Sequence, residues 1–240
     1  MVNPFIQLVK HLSNSLGGIT SLNQTNPGKV AYLRNLEREL QSRDVLDIPF
    51  DELPVVVFDL ETTGFFPYTG DRILSIGAVK MIGTKIIESE TFYSLIYCDS
   101  LLSEEVKELT GITQEMVEKA PSLRDVLKDF YRFIKSDVLV AHHAIHEQQF
   151  MRHATWLALR KSFQHRIVDT SFLTKIAYKE KQLVTLDECC KYYGITITQR
   201  HHALQDAMAT ALLWKENINE IQKMGYYSLK DVYIHLAKQG

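Results

Sequence analysis

The stretch Val55-Val56-Val57-Phe58-Asp59-Leu60-Glu61-Thr62-Thr63-Gly64 joins an unbroken apolar run to two carboxylates one residue apart. A run this short and this rich in β-branched residues reads as a strand buried on both faces, expected over 54–60. Side chains alternate across a strand, so Asp59 and Glu61 project to the same side. Two negative charges at the end of a hydrophobic strand repel each other unless something positive lies between them. No Lys or Arg occurs from 54 to 71. The natural counter-charge is therefore a hard divalent cation, since Mg²⁺ takes a few carboxylate oxygens and keeps several waters.

Downstream of this strand, a loop with Pro67 and Gly70 leads to two runs, Ile73 to Ile82 and Lys85 to Tyr97, broken at Gly83-Thr84. That spacing predicts a hairpin or meander. Ser103 caps a helix that Gly111 stops, and Ser122 with Asp125 opens another to about Lys135. A second apolar strand, Val138 to Ala141, ends at a histidine-rich stretch containing His142, His143 and His146. Residues 147–161 read as helix, Ile167-Val168 as a short strand, and Asp169 as the cap of the next helix. Thr185 and Glu188 have capping-box spacing ahead of a helix to Tyr193. A long helix over about 202–223 carries apolar Ala203, Ala207, Ala211, Leu212 and Trp214, and a last helix covers about 228–238. Strands first, then strands alternating with helices, predict an α/β fold whose mixed sheet is flanked by helices.

A chain of 240 residues with 45% hydrophobic composition suits one domain plus an extension. The net charge of -2 excludes a global basic field, so any nucleic-acid contact is local or metal-mediated. Cys98, Cys189 and Cys190 have no metal-ligand spacing, and so sparse a set argues for a reducing compartment. No apolar run reaches the length of a secretory core or of a span, which needs about 20 residues, so a cytoplasmic chain without membrane contact is expected. Residues 1–53 form a helical N-terminal extension in this reading, with helix-like Pro4 to Leu16 and Val30 to Gln41 around a break rich in Gly, Asn, Ser and Thr. It is either a pair of helices packing on the main domain or an arm that docks a protein partner such as a polymerase. The main domain spans 54–223, and 224–240 is a C-terminal helix packed on or following it.

Two later clusters continue the acid-and-histidine pattern. His142 to Phe150 places Glu147 near a helix start, and His201 to Ala207 puts His201 five residues before Asp206. The whole set resembles the DEDDh family of 3'-to-5' exonucleases, the group of polymerase III epsilon-like proofreading subunits and RNA-trimming enzymes, on a ribonuclease H-like fold. Phe58-Asp59-Leu60-Glu61-Thr62-Thr63-Gly64 looks like its opening signature. Asp71-Arg72-Ile73, Ser75-Ile76-Gly77-Ala78-Val79, Leu109-Thr110-Gly111-Ile112-Thr113, Ala120-Pro121, Val168-Asp169-Thr170 and His201-x-Ala203-x-x-Asp206-Ala207 follow in the family's order, over about 54–218. The middle motif departs: where the family usually shows His-Asn-Ala-x-Phe-Asp, this chain has His142-His143-Ala144-Ile145-His146-Glu147. The extra methylene of Glu moves its oxygens by roughly the 1 Å that costs about 10²-fold in rate when positioning fails.

The resemblance implies hydrolysis of phosphodiester bonds from single-stranded DNA or RNA 3' ends by a two-metal mechanism using Mg²⁺, with Mn²⁺ as substitute. Asp59, Glu61 and Asp206 are the implied metal ligands, Asp59 bridging both ions, with Glu147 as the fourth carboxylate. His201 is the implied general base. Leu60, Thr62, Thr63 and Gly64 resemble the family's contacts to the terminal nucleotide, which must be unstacked to sit there. The alternative is a weakened or inert exonuclease-like module that binds nucleic acid or a polymerase partner. His142 and His146 also have the i, i+4 spacing of a zinc pair on a helix, although a strand ending at 142 would break that register.

Overall fold

The computed structural model describes residues 45–179, 181 and 183–239. The expected N-terminal extension therefore lies outside the described residues up to 44. Residues 45–53 form a turn, an isolated bridge from Pro49 to Ser228, and a short 3-10 turn, Phe50–Glu52. Five strands follow: β1 (Pro54–Thr62), β2 (Ile73–Ile82), β3 (Lys85–Leu95), β4 (Val138–Ala141) and β5 (Ile167–Asp169). They form one sheet in the order β3-β2-β1-β4-β5. The pairs β1–β2 and β2–β3 are antiparallel, whereas β1–β4 and β4–β5 are parallel. The hairpin and the mixed sheet thus have the arrangement the apolar periodicity predicts.

The central place of β1 explains its composition. Val55, Val56 and Val57 are 0% exposed and Phe58 is 1% exposed, because helices cover both faces and each full burial of such a side chain stabilises by about 2 kcal/mol. The strand runs two residues further than the expected end at 60, since Glu61 pairs with Ser75 and, after a register shift, Thr62 pairs with Ile73. Glu61 is thereby held as part of the sheet.

The helices are α1 (Glu104–Thr110), α2 (Gln114–Glu118), α3 (Leu123–Ile134), α4 (Ile145–Leu159), α5 (Thr170–Ala177), α6 (Leu186–Tyr193), α7 (Ala203–Lys223) and α8 (Leu229–Gln239). Ser103, Ser122 and Asp169 accept backbone N–H bonds as N-caps, and Thr185 with Glu188 closes a capping box. Gly111 takes the left-handed conformation that ends α1. The short α2, capped by Thr113, was not expected from the sequence. Helix α4 occupies 145–159 rather than 147–161, ending where Arg160 adopts φ +53°.

Helix α7 lies across β1 and β2. Of its two adjacent leucines, Leu213 is wholly buried while Leu212 is only half-buried, so the core position is one residue later than expected. Trp214 Nε1 donates to the Gly83 carbonyl at 3.2 Å, and its ring meets Phe50 edge-on. Asn217 donates to Thr174 Oγ1 at 3.0 Å and accepts from the Tyr193 hydroxyl at 3.1 Å, tying α7 to α5 and α6. Gly77 of β2 lets the start of α7 descend onto the sheet: a Cβ there would stand 2.1 Å from Leu204 N. Gly77 is also the register partner of Asp59. The close approach consequently delivers the first turn of α7 to the acid-bearing end of β1.

Candidate active site

Glu61, His201 and Asp206 each present a ligand atom within 4.8 Å of the other two. Glu61 and Asp206 are buried, and His201 is half-buried. Asp59, Leu60 and Glu61 line a cleft of about 330 Å³ together with His201 and Asp206. His142, His143, Arg200 and the start of α6 complete its walls. Asp59 and Glu61 therefore do share a side, and residues 140 positions away meet them there. Glu147 is 4% exposed in the first turn of α4 but is not part of the cleft lining.

The loop before α7 fixes His201. Its backbone takes φ +57°, a conformation disfavoured for a residue with a Cβ, and its N–H donates to Asp206 Oδ2 at 3.0 Å. The ring of the following His202 stacks on Tyr93 with centroids 4.5 Å apart. Asp206 is thus both an acid of the cluster and the anchor of the histidine beside it.

Gathering carboxylates in a buried place disfavours their charged forms. Burial holds Asp59 well above the usual carboxylate range, and the charges of Glu147, Glu61 and Asp206 add to this. Glu61 is pushed up to about 7, first by burial and then by Asp206. Glu147 is pushed up to about 8, chiefly by burial, with Asp169 and Glu61 contributing. Burial also raises Asp206. Arg200 opposes the rise at Asp59, Glu61 and Asp206. Among the described residues, Glu147 Oε2 and Asp206 Oδ1 are buried without a hydrogen-bond partner.

A positive charge also reaches the acids from outside the strand segment. The segment 54–71 supplies no cation, but Arg200, far along the chain, forms ion pairs with Asp206 and Asp187. Its position immediately before His201 was the available signal. Asp169 also does more than cap α5: its carboxylate accepts from the N–H groups of His143 and Ala144 at 3.1 Å each and from Ser171 at 2.8 Å. It pins the middle motif while His143 adopts φ +56°.

The histidines of that motif are used separately. A carbonyl can only accept, so the Nε2 atoms of His142 and His143 both donate to Val184 O, at 2.9 and 2.7 Å. His142 Nδ1 then accepts from the Thr170 hydroxyl at 2.7 Å. His146 instead lies between the Phe65 and Phe150 rings, with Thr62 Oγ1 at 3.4 Å. With both nitrogens of His142 engaged, the zinc pairing of His142 with His146 has no support.

Leu60 is 5% exposed yet reaches the cleft. Thr62 donates to Gly64 O at 2.7 Å, and Thr63 donates to Asp71 Oδ1 at 2.9 Å. Asp71 Oδ2 accepts from Phe66 N at 2.9 Å. A Cβ at Gly64 would meet that carboxylate at 2.5 Å, so any side chain there has to displace Asp71 from its bonds to Thr63 and Phe66.

Fold and cluster together define a ribonuclease H-like nuclease architecture. The family profile described as Exonuclease, RNase_T, matches residues 56–214, and the chain belongs to that exonuclease family. The DNA polymerase III subunit epsilon-like protein of Rhodobacter capsulatus is 33% identical over 196 residues, covering 81% of this chain and 28% of that protein. The PolC-type DNA polymerase III of Oceanobacillus iheyensis is 38% identical over 161 residues, covering 67% of this chain and 11% of that one. This chain therefore spans well under a third of either relative. Among solved structures, the nuclease domain of 3'hExo, a DEDDh family member bound to rAMP, superimposes with TM-score 0.60 at 20% identity, over 71% of this chain and 92% of that one. Exonuclease X in complex with 5' overhanging duplex DNA gives 0.58 at 22% identity, over 74% and 98%. These similarities establish the shared fold. Among the described residues no helix is long and apolar enough to cross a membrane.

Proposed function

We propose that this chain is a 3'-to-5' exonuclease that removes nucleotides from single-stranded DNA or RNA ends with two divalent cations, Mg²⁺ or Mn²⁺. The observation that carries this reading is the meeting of Glu61, His201 and Asp206 within 4.8 Å, next to Asp59 in one cleft. The chemistry of the donor set fits hard cations, since it is rich in carboxylates. The unpartnered Asp206 Oδ1 and Glu147 Oε2 fit them too, because a buried acceptor without a donor is costly unless something positive reaches it.

In this reading Asp59, Glu61 and Asp206 hold the ions, and Glu147 is the fourth carboxylate. When bound, the ions would neutralise charge developing on the phosphate and make a nucleophile available at neutral pH. His201 takes the proton from the attacking water at an imidazole nitrogen, and Asp206 anchors the backbone that carries it through the His201 amide N–H. Leu60 meets the terminal base, while the Thr62 to Gly64 turn, braced by Asp71, presents a backbone edge to its sugar. The polymerase names of the relatives fit association with a polymerase, and residues 1–53 are the docking arm in this proposal.

A second reading, a weakened or inert module, draws on Glu147, which is longer than the family's usual Asp and stands outside the cleft lining. Incubation with Mg²⁺ or Mn²⁺ and 5'-labelled DNA and RNA oligomers separates the two. Stepwise shortening that is lost in Asp59→Ala supports the exonuclease, and intact oligomers of both kinds favour the inert module.

A further inference from the structure

Arg200 takes no part in the chemistry proposed above, yet it reaches the carboxylates of the cleft with a fixed geometry. Its Nε and one terminal nitrogen donate to the two oxygens of Asp187, at 2.8 and 3.1 Å. The other terminal nitrogen pairs with Asp206 Oδ2. A guanidinium is a planar fork, so binding one carboxylate along an edge sets the direction of the remaining arm. Asp187, in the first turn of α6, thus aims that arm at Asp206. Asp206 is 2% exposed, and its other oxygen, Oδ1, has no partner among the described residues. The arginine satisfies half of this carboxylate and leaves the other half open.

We propose that Arg200 is a positioning residue that occupies the cation's electrostatic place at Asp206: oriented by Asp187, it neutralises the cleft in the metal-free protein and competes with a divalent ion for that carboxylate. The inference rests on reading Glu61, His201 and Asp206 as a metal site. An ion drawing on Asp206 meets a positive charge already bound to Oδ2, and two cations sharing one carboxylate repel. Loading therefore weakens the Arg200 to Asp206 pair, while the bidentate pair to Asp187 keeps the side chain at the cleft wall. Losing the arginine has two opposite effects. Binding of the ion becomes easier, and the metal-free cluster of acids becomes harder to hold together.

Mn²⁺ titration of the full chain without nucleic acid tests this, with bound metal read from the spin-resonance signal of free Mn²⁺ and stability read from thermal unfolding. Arg200→Gln is expected to lower the metal-free melting temperature and to reduce the half-saturating Mn²⁺ concentration about tenfold, the scale of one charge-assisted hydrogen bond. Arg200→Lys should fall between this variant and wild type, because an ammonium cannot bridge both carboxylates in the same way. Unchanged or weaker Mn²⁺ binding in Arg200→Gln overturns the proposal. If that variant does not fold, Arg200→Lys decides by the same criterion. Asp206→Asn separates the two levels of inference: if wild type binds no Mn²⁺, or Asp206→Asn binds as wild type does, the metal reading fails and takes this one with it. Binding that is lost in Asp206→Asn but unaltered by replacing Arg200 overturns only the role of the arginine.

Discussion

Gly77 and Leu204 meet so closely that a side chain at 77 would stand 2.1 Å from the Leu204 backbone nitrogen. The contact sets how far the first turn of α7 descends toward β1. Gly77→Ala must push that turn away, since backbone on both sides leaves no flexible side chain to yield. Overpacking of this kind costs about 1–3 kcal/mol, and displacement of Asp206 should reduce hydrolysis by roughly 10²-fold. Urea unfolding and oligomer hydrolysis measure the two effects; wild-type activity in Gly77→Ala would dissociate the contact from the site.

Glu147 is expected to matter for rate despite its place outside the cleft lining. Glu147→Ala should lower kcat by at least about 10²-fold, as expected when a carboxylate that orders the reacting geometry is lost. Glu147→Asp discriminates further. A rise in kcat means that the longer arm is the only departure from the family pattern, and a fall means that its surroundings have adapted to Glu. An unchanged rate for Glu147→Ala would remove it from the ligand set.

The raised carboxylates give the metal-free protein a pH dependence of definite sign. Glu61 and Glu147, pushed up to about 7 and about 8, hold protons in the folded state that the unfolded chain has released above about 4.5. The folded state then binds more protons, so its stability falls as pH rises from about 4.5 to 8. Thermal unfolding in a chelator should show this decline. Mg²⁺ should raise the melting temperature more at pH 8 than at pH 5.5, because it binds the ionised forms; equal increments at both would contradict the assignment.

His165 produces the opposite slope elsewhere in the fold. It is 5% exposed, lies 2.6 Å from the Lys135 carbonyl through Nε2, and burial pushes it down to about 4. The unfolded chain gains a proton near pH 6.5 that the folded chain refuses until about 4, so this contribution is lost as pH falls through that window. The stability difference between wild type and His165→Gln should therefore shrink by about 3 kcal/mol from pH 6.5 to 4, at about 1.4 kcal/mol per unit. Paired urea titrations check it, and parallel curves would rule it out.

Asp71 braces the proposed nucleotide-binding turn by accepting from the Thr63 hydroxyl and the Phe66 backbone N–H. Asp71→Ala should raise KM for an oligomer about tenfold, the scale of one or two lost charge-assisted bonds, with a smaller change in kcat. A drop in kcat at constant KM would place the turn in the chemical step instead.

Local signals in the sequence proved readable. Ser103, Ser122, Asp169 and the Thr185-Glu188 box each announce a helix start because the cap oxygen and the backbone N–H that donates to it lie within three residues. The alternation of β1 places Asp59 and Glu61 together for the same reason. What stayed hidden depends on contacts between distant segments. Arg200 shows no ion-pair partners in the sequence until folding brings it to Asp187 and Asp206, and Gly77 reads as a strand glycine until α7 is laid over it. Asp169 shows its capping role within two residues, but its grip on His143 and Ala144 crosses from β5 to the end of β4. The short α2 carries no periodic signal because five residues are too few to display a helical period.

Asp206 and Trp214 belong to one uninterrupted helix of 21 residues, about 12 Å apart along its axis at 1.5 Å per residue. The chain has two tryptophans; Trp214 is 1% exposed against the Gly83 carbonyl, whereas Trp156 is 52% exposed. Acrylamide can quench Trp156 selectively, leaving the indole emission of Trp214 as a built-in optical gauge of whether the rod bearing Asp206 remains seated on the hairpin.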